Sequence, residues 1–177
     1  AGSIGKSVTL EILKYNPKTL FAIDISENNL VELVRDVRSS PTNSTTDFKS
    51  FCIDCSSIEF EYFLNSQKGF DFVFNLSAMK HVRSERDKFT LMRLIEVNIL
   101  NVIKMHEMLD ANDLKKFFCV STDKAANPVN MMGASKKIME DFLISNSLSK
   151  NISLARFANV AFSDGSLLHG FRNRIEK

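Results

Sequence analysis

Residues 116–125 read Lys116-Phe117-Phe118-Cys119-Val120-Ser121-Thr122-Asp123-Lys124-Ala125. Phe117 to Val120 is an unbroken apolar run, the pattern of a strand covered on both faces rather than on one. It stops at two hydroxyls, an acid and a lysine. A turn through Asn127-Pro128 follows, and then Met132-Gly133-Ala134-Ser135-Lys136 opens a helical run that continues through Ile138, Met139 and Leu143. In open α/β sheets ligands bind outside the carboxyl ends of the strands. Thr122, Asp123 and Lys124 therefore fall where chemistry is done, facing Lys136 one helical entry later. This is a layout for proton transfer.

Working outward, strand and helix patterns alternate along the chain. Apolar spacing predicts helices over 3–15, 28–37, 58–64, 89–109 and 134–148. Short apolar runs predict strands over 19–24, 48–54, 71–77, 116–121 and 152–157. Residues 39–46 are a Ser/Thr/Asn/Pro loop. Strands without polar alternation, separated by helices, mean a parallel sheet buried on both faces. The expected fold is α/β, a Rossmann-type doubly wound parallel sheet with helices on both faces.

The bulk properties exclude several other classes. A chain of 177 residues can bury one sizeable core. Its net charge of +2 comes from scattered basic residues, which argues against nucleic-acid binding. No apolar run reaches the length of a membrane span and no signal peptide is visible, so the expected location is the cytoplasm, with any membrane anchor lying upstream. Three cysteines are too few for a disulfide framework. Cys52 and Cys55 have C-x-x-C spacing, but no second ligand pair accompanies them, so neither zinc nor redox chemistry is expected. No metal site is expected anywhere.

The N-terminal residues Ala1-Gly2-Ser3-Ile4-Gly5 run straight into a helix, like the end of a glycine-rich phosphate loop. Asp24 ends the next strand about 20 residues later, where an acid bonds the adenosine ribose hydroxyls. An acid there favours NAD over NADP, because it repels a 2′-phosphate. Asp54 ends the following strand, placed either to meet the adenine or to form a turn.

With these residues in view, the chain resembles the extended short-chain dehydrogenase/reductase superfamily. More narrowly it resembles the polysaccharide-biosynthesis branch of UDP-N-acetylglucosamine 4,6-dehydratases and nucleotide-sugar epimerases. The matching segments are residues 1–5, 24–30, 74–82, Val97-Asn98, 121–125, 127–136, 156–160 and 163–166. The pair Thr-Asp-Lys-Ala-x-x-Pro and Met-Gly-x-Ser-Lys is the most specific. Departures are Ala1 and Asn101, both usually glycine. Met132 stands where most of the wider superfamily has a catalytic tyrosine.

The resemblance implies NAD bound by Gly2, Ser3, Ile4, Asp24, Asp54, Leu76, Ser77, Ala78, Lys80, Asn98 and Lys136. It implies Lys124 as the base at C5 of the sugar and Asp123 as the acid at its C6 hydroxyl. As an acid, Asp123 would need its pKa raised by burial. Methionine cannot take a proton, so Thr122 is expected to orient the C4 hydroxyl while Met132 forms a soft wall. Lys80, His81, Asn159 and Ser166 are the expected substrate contacts. The resemblance further implies a homo-oligomer, a UDP-sugar substrate, and a Rossmann domain over 1–177 that is incomplete at both ends, with the substrate-binding region starting at 158–177. A UDP-sugar 4- or 5-epimerase and a non-catalytic NAD-binding module are the alternatives. Asp123 and Lys124 together favour elimination, since simple 4-epimerisation needs neither.

Overall fold

A computed structural model describes residues 1–40, 45–110, 114–147, 151–161 and 166–175. The chain forms two compact units, Ala1–Glu59 with Asn159–Lys177, and Phe60–Ala158.

The first unit opens with α1 (Ser3–Leu13), which stops short of Pro17 as the sequence predicts. β1 (Thr19–Asp24) and β2 (Asp47–Cys52) pair in parallel from Thr19 opposite Asp47 to Asp24 opposite Cys52. Between them lies α2 (Glu27–Ser39), capped by Ser26, whose hydroxyl accepts from the Asn29 amide. Leu30 and Leu33 are its buried anchors. Phe21 and Phe51 meet across the strands at 6.0 Å. The expected burial on both faces fails here: every residue of β1 is half-buried, and β2 exposes Asp47, Lys49, Ser50 and Cys52. For β2 its polar residues account for this: Asp47 and Lys49 pair with each other at 2.8 Å on the exposed side of the strand. A helix that the sequence did not announce, α7 (Leu167–Ile175), ends this unit.

The second unit holds β3 (Phe72–Asn75), β4 (Lys116–Thr122) and β5 (Ile152–Phe157) in a parallel sheet of order β3-β4-β5. Helix α3 (Ile58–Ser66) leads into it. Strand β4 is central and alternates, with Phe117, Cys119 and Ser121 buried on one face. Helix α6 (Met131–Ser145) covers that face with Lys136, Met139, Glu140 and Leu143. It starts before the predicted residue 134 because Asn130 caps it, its side chain accepting from the Gly133 amide. The predicted end at 148 lies outside the described residues. β3 is shorter than expected, since Asn75 turns back on Ser77 and ends the ladder.

The single helix predicted over 89–109 is three pieces: α4 (Lys88–Ile95), a π turn (Glu96–Leu100) and α5 (Asn101–Asp110). Such π turns recur at functional sites. This one contains Asn98, a polar residue with no exposed surface. Apolar periodicity cannot register an inserted wider turn, so the sequence reads straight through it. Both sheet orders occur within the doubly wound arrangement. Among the described residues all strand pairs are parallel, as the α/β reading predicts. Among the described residues no helix is long and apolar enough to cross a membrane.

Candidate active site

At the carboxyl end of β4 the chain tightens into a 3-10 turn, Asp123–Ala125. Thr122 caps it, its hydroxyl oxygen accepting from the Lys124 amide at 3.4 Å. The same hydroxyl donates to Asp123 Oδ1 at 2.9 Å, and the Lys124 ammonium donates to that oxygen at 3.2 Å. Three candidate side chains are thus linked through one carboxylate oxygen. Asp123 is half-exposed, and the Thr122 bond, followed by Lys124, holds its carboxyl below the ordinary carboxylate range. The burial that would raise it, the condition for a resting acid, is not met here. In this state Asp123 is a carboxylate, because hydrogen bonds to the charged form favour it.

Helix α6 is pressed against this turn. A Cβ on Gly133 would lie 2.7 Å from the Lys124 carbonyl oxygen, so only glycine lets the helix approach so closely. Glu85, on a 3-10 turn (Val82–Glu85), accepts from the Met131 amide at 2.7 Å and ties the segment after β3 to the start of α6. Met132 is buried, and its carbonyl accepts from the Ser135 hydroxyl at 2.8 Å.

Lys136 is enclosed one turn further on. Its ammonium donates to the Val120 carbonyl at 3.1 Å and lies 3.7 Å from Met139 Sδ. Desolvation lowers its pKa, while the neighbouring Cys119 and Glu140 side chains work against that. Asn98 was expected to touch the cofactor. It is enclosed, and its amide exchanges bonds with the Met79 backbone, at 3.0 Å in each direction, and donates to Ser135 Oγ at 3.0 Å. It fixes the segment after β3 to α6 while remaining enclosed itself. Within that segment Leu76 is half-buried and Ser77, Ala78, Lys80 and His81 are exposed.

Three participants escaped the sequence reading. Asn75 organises the end of β3, accepting from the Ser77 hydroxyl at 2.6 Å and donating toward Cys119 Sγ. Glu85 is the second. Glu140 is the third, and its position four residues after Lys136 was the signal available.

The first unit holds the other candidates. Gly2 caps α1 without any side-chain bond, and the first turn carries no acid. A Cβ on Gly2 or Gly5 would meet nothing within 4 Å. Asp24 Oδ1 accepts from the Ser26 amide at 2.8 Å, and its Oδ2 lies 2.5 Å from the Ala1 nitrogen, beside the glycine run. A positive helix end, open space over the glycines and an adjacent carboxylate suit the diphosphate and ribose diol of a dinucleotide. Ser3 and Ile4 form the first turn of this helix. Asp54 Oδ1 accepts from the Ser56 amide and hydroxyl at 2.9 and 2.7 Å, closing a turn after β2. Cys55 beside it is pushed up to about 11 by desolvation and then by Asp54 and Asp24, the reverse of a reactive thiol. Asn159 is exposed after β5, and Ser166 is half-buried before α7. Among the described residues no group of His, Cys, Asp or Glu is assembled to hold a metal.

Comparison with known proteins gives this geometry a family. A family model described as polysaccharide biosynthesis protein matches residues 1–177. An uncharacterised membrane protein of Methanocaldococcus jannaschii is 33% identical over 99% of this chain and 51% of its own length. An inverting UDP-N-acetylglucosamine 4,6-dehydratase of Campylobacter jejuni is 31% identical over 98% of this chain and 51% of its own length. The X-ray structure of Pen from Bacillus thuringiensis superposes with a TM-score of 0.85 at 26% identity, covering 99% of this chain and 53% of that one. The chain thus spans about half the length of these relatives. Matched along its whole length, the chain belongs to the polysaccharide biosynthesis protein family, within the nucleotide-sugar branch of the extended short-chain dehydrogenase/reductases.

Proposed function

We propose that the protein carrying this chain is an NAD-dependent 4,6-dehydratase of a UDP-N-acetylhexosamine, working in surface glycan synthesis. The observation that carries this reading is the Thr122–Asp123–Lys124 linkage through one carboxylate oxygen at the end of β4. A dehydration needs a proton taken from the C4 hydroxyl, a proton taken from C5, and a proton given to the C6 hydroxyl as water leaves. A 4-epimerisation needs only the first.

Bound NAD supplies the hydride acceptor at C4 and the hydride donor at C6. Gly2, Ser3, Ile4 and Asp24 hold its adenosine end, and Asp24 disfavours a 2′-phosphate. Lys136 holds the nicotinamide ribose.

The proton route follows the observed bonds. Thr122 takes up the C4 hydroxyl and passes its proton to Asp123, the carboxylate to which it already donates. Asp123, now protonated, returns that proton to the departing C6 hydroxyl. Lys124, once its ammonium has released a proton to solvent, removes the C5 proton and later gives a proton back to C5. Protons taken and given balance over the cycle. The carboxylate state of Asp123 becomes a requirement in this scheme: it replaces the missing tyrosine first and acts as an acid afterwards. Met132 contributes an apolar wall and no proton. Lys80, His81, Asn159 and Ser166 are the proposed substrate contacts.

The test is incubation of the purified protein with NAD and UDP-N-acetylglucosamine in deuterated water, followed by NMR and mass spectrometry of the sugar. A 4-keto-6-deoxy product with deuterium at C5 is expected. A C4 epimer of unchanged mass would make the protein an epimerase. NAD bound with an unchanged sugar would favour another substrate or a binding module.

A further inference from the structure

Glu140 takes no part in the scheme above, yet among the described residues it is the most enclosed acid of the second unit, with 2% of its surface exposed. Its carboxylate is gripped by Arg156 of β5 through three contacts: Nε to Oε1 at 2.9 Å, Nε to Oε2 at 3.2 Å and Nη2 to Oε2 at 2.6 Å. The guanidinium is partly exposed and forms the lid over the carboxylate. The Ser121 hydroxyl approaches the same group without reaching hydrogen-bond geometry. One helical turn earlier on the same face stands Lys136, enclosed against a carbonyl and a thioether. Neither of those contacts carries a full negative charge. An enclosed ammonium needs an anion nearby, or it gives up its proton.

We propose that Glu140 is a positioning residue for Lys136: clamped by Arg156, its charge keeps Lys136 an ammonium in its enclosed site and fixes the end of β5 to the same helix. The inference rests on the reading that Lys136 serves the cofactor. The groups facing this cluster are Cys119 and Ser121 of β4, Arg156 of β5, and Lys137 and Asp141 on α6. His106 of α5 packs edge-on against Phe117 and Phe142 nearby. Cys119 is pushed up to about 11, so it is a neutral thiol over most of the working range. Glu140 therefore supplies the anionic charge on Lys136's own face. Burial pushes its carboxyl up, and the Arg156 bonds outweigh that and hold it ionised.

The sign of the effect follows. Removing the Glu140 charge makes the Lys136 proton easier to lose, so ammonium-dependent behaviour fails at lower pH. The experiment measures NAD affinity against pH for the wild type, Glu140→Gln and Glu140→Asp. Lysine side-chain NMR follows the titration of Lys136, identified by the signal absent in Lys136→Met. In Glu140→Gln the alkaline loss of NAD affinity and the Lys136 titration should both move to lower pH by about one unit. Glu140→Asp keeps the charge and should stay near the wild type, and it serves as the test if Glu140→Gln does not fold. A Glu140→Gln profile superimposed on the wild type, or weakened equally at every pH, would overturn the proposal. So would an Asp variant displaced as far as the Gln variant. A wild type that binds no NAD at any pH would overturn the reading beneath it instead, and the proposal with it.

Discussion

β1 and β4 are both short apolar strands ending in an acid-bearing turn, yet they sit differently. β1 is half-buried at every position, while β4 alternates with Phe117, Cys119 and Ser121 enclosed. The polar groups around them differ in the same way. Beside β1, glycines face open space and Asp24 reaches toward the helix start. Beside β4, Lys136, Asn98, Ser135 and Glu140 are enclosed and bonded to one another's neighbours. The first arrangement leaves room for a ligand. The second spends its polar groups on holding a few side chains in place, which is what preorganised chemistry requires.

The variants that separate the two regions most strongly lie in the β4 turn. Lys124→Ala should lower the dehydration rate about 10³-fold, the scale of losing a positioned general base, with NAD affinity unchanged. Unchanged turnover would remove Lys124 from the C5 step.

Thr122→Val comes next. It removes the first bond that depresses Asp123, so the Asp123 carboxyl should rise. Because the carboxylate is the required form, activity present above the Asp123 pKa is lost as pH falls through it. The acid limb of kcat/KM should therefore move to higher pH, with a rate loss of about 10²-fold. A limb that stays in place would separate Thr122 from Asp123.

A glycine pair sharpens the contrast. Gly133→Ala drives a methyl to 2.7 Å from a backbone oxygen and should cost about 1–3 kcal/mol of stability, read from denaturant unfolding. Gly5→Ala meets nothing and lies inside α1, so it should stabilise by about 0.5–1 kcal/mol while weakening NAD binding. If Gly5→Ala leaves NAD affinity untouched, the open space there is not the diphosphate site. The smallest effect concerns thiols. Cys52 is exposed, whereas Cys55 and Cys119 are pushed up to about 11, so at neutral pH alkylation should mark Cys52 first.

How much of this was legible follows from what each pattern encodes. Apolar runs placed β1, β4 and β5 to within a residue or two, because burial is what such runs record. The β4 turn and α6 were legible as a motif. The π turn at 96–100 was not, since its apolar residues keep the helical rhythm through the insertion. The ionisation of Asp123 was not legible, because it depends on a hydroxyl and an ammonium sharing one oxygen, which spacing alone does not fix. Glu140 passed unnoticed because its partner, Arg156, lies on a different element, β5.

The central claim is that the β4 turn carries an elimination separable from the oxidation at C4. The most direct test gives Lys124→Ala protein, loaded with NAD, UDP-N-acetylglucosamine deuterated at C4. Transfer of deuterium to the cofactor, with no 6-deoxy sugar and no exchange at C5, is the predicted result. Formation of the 6-deoxy product at the wild-type rate would contradict it.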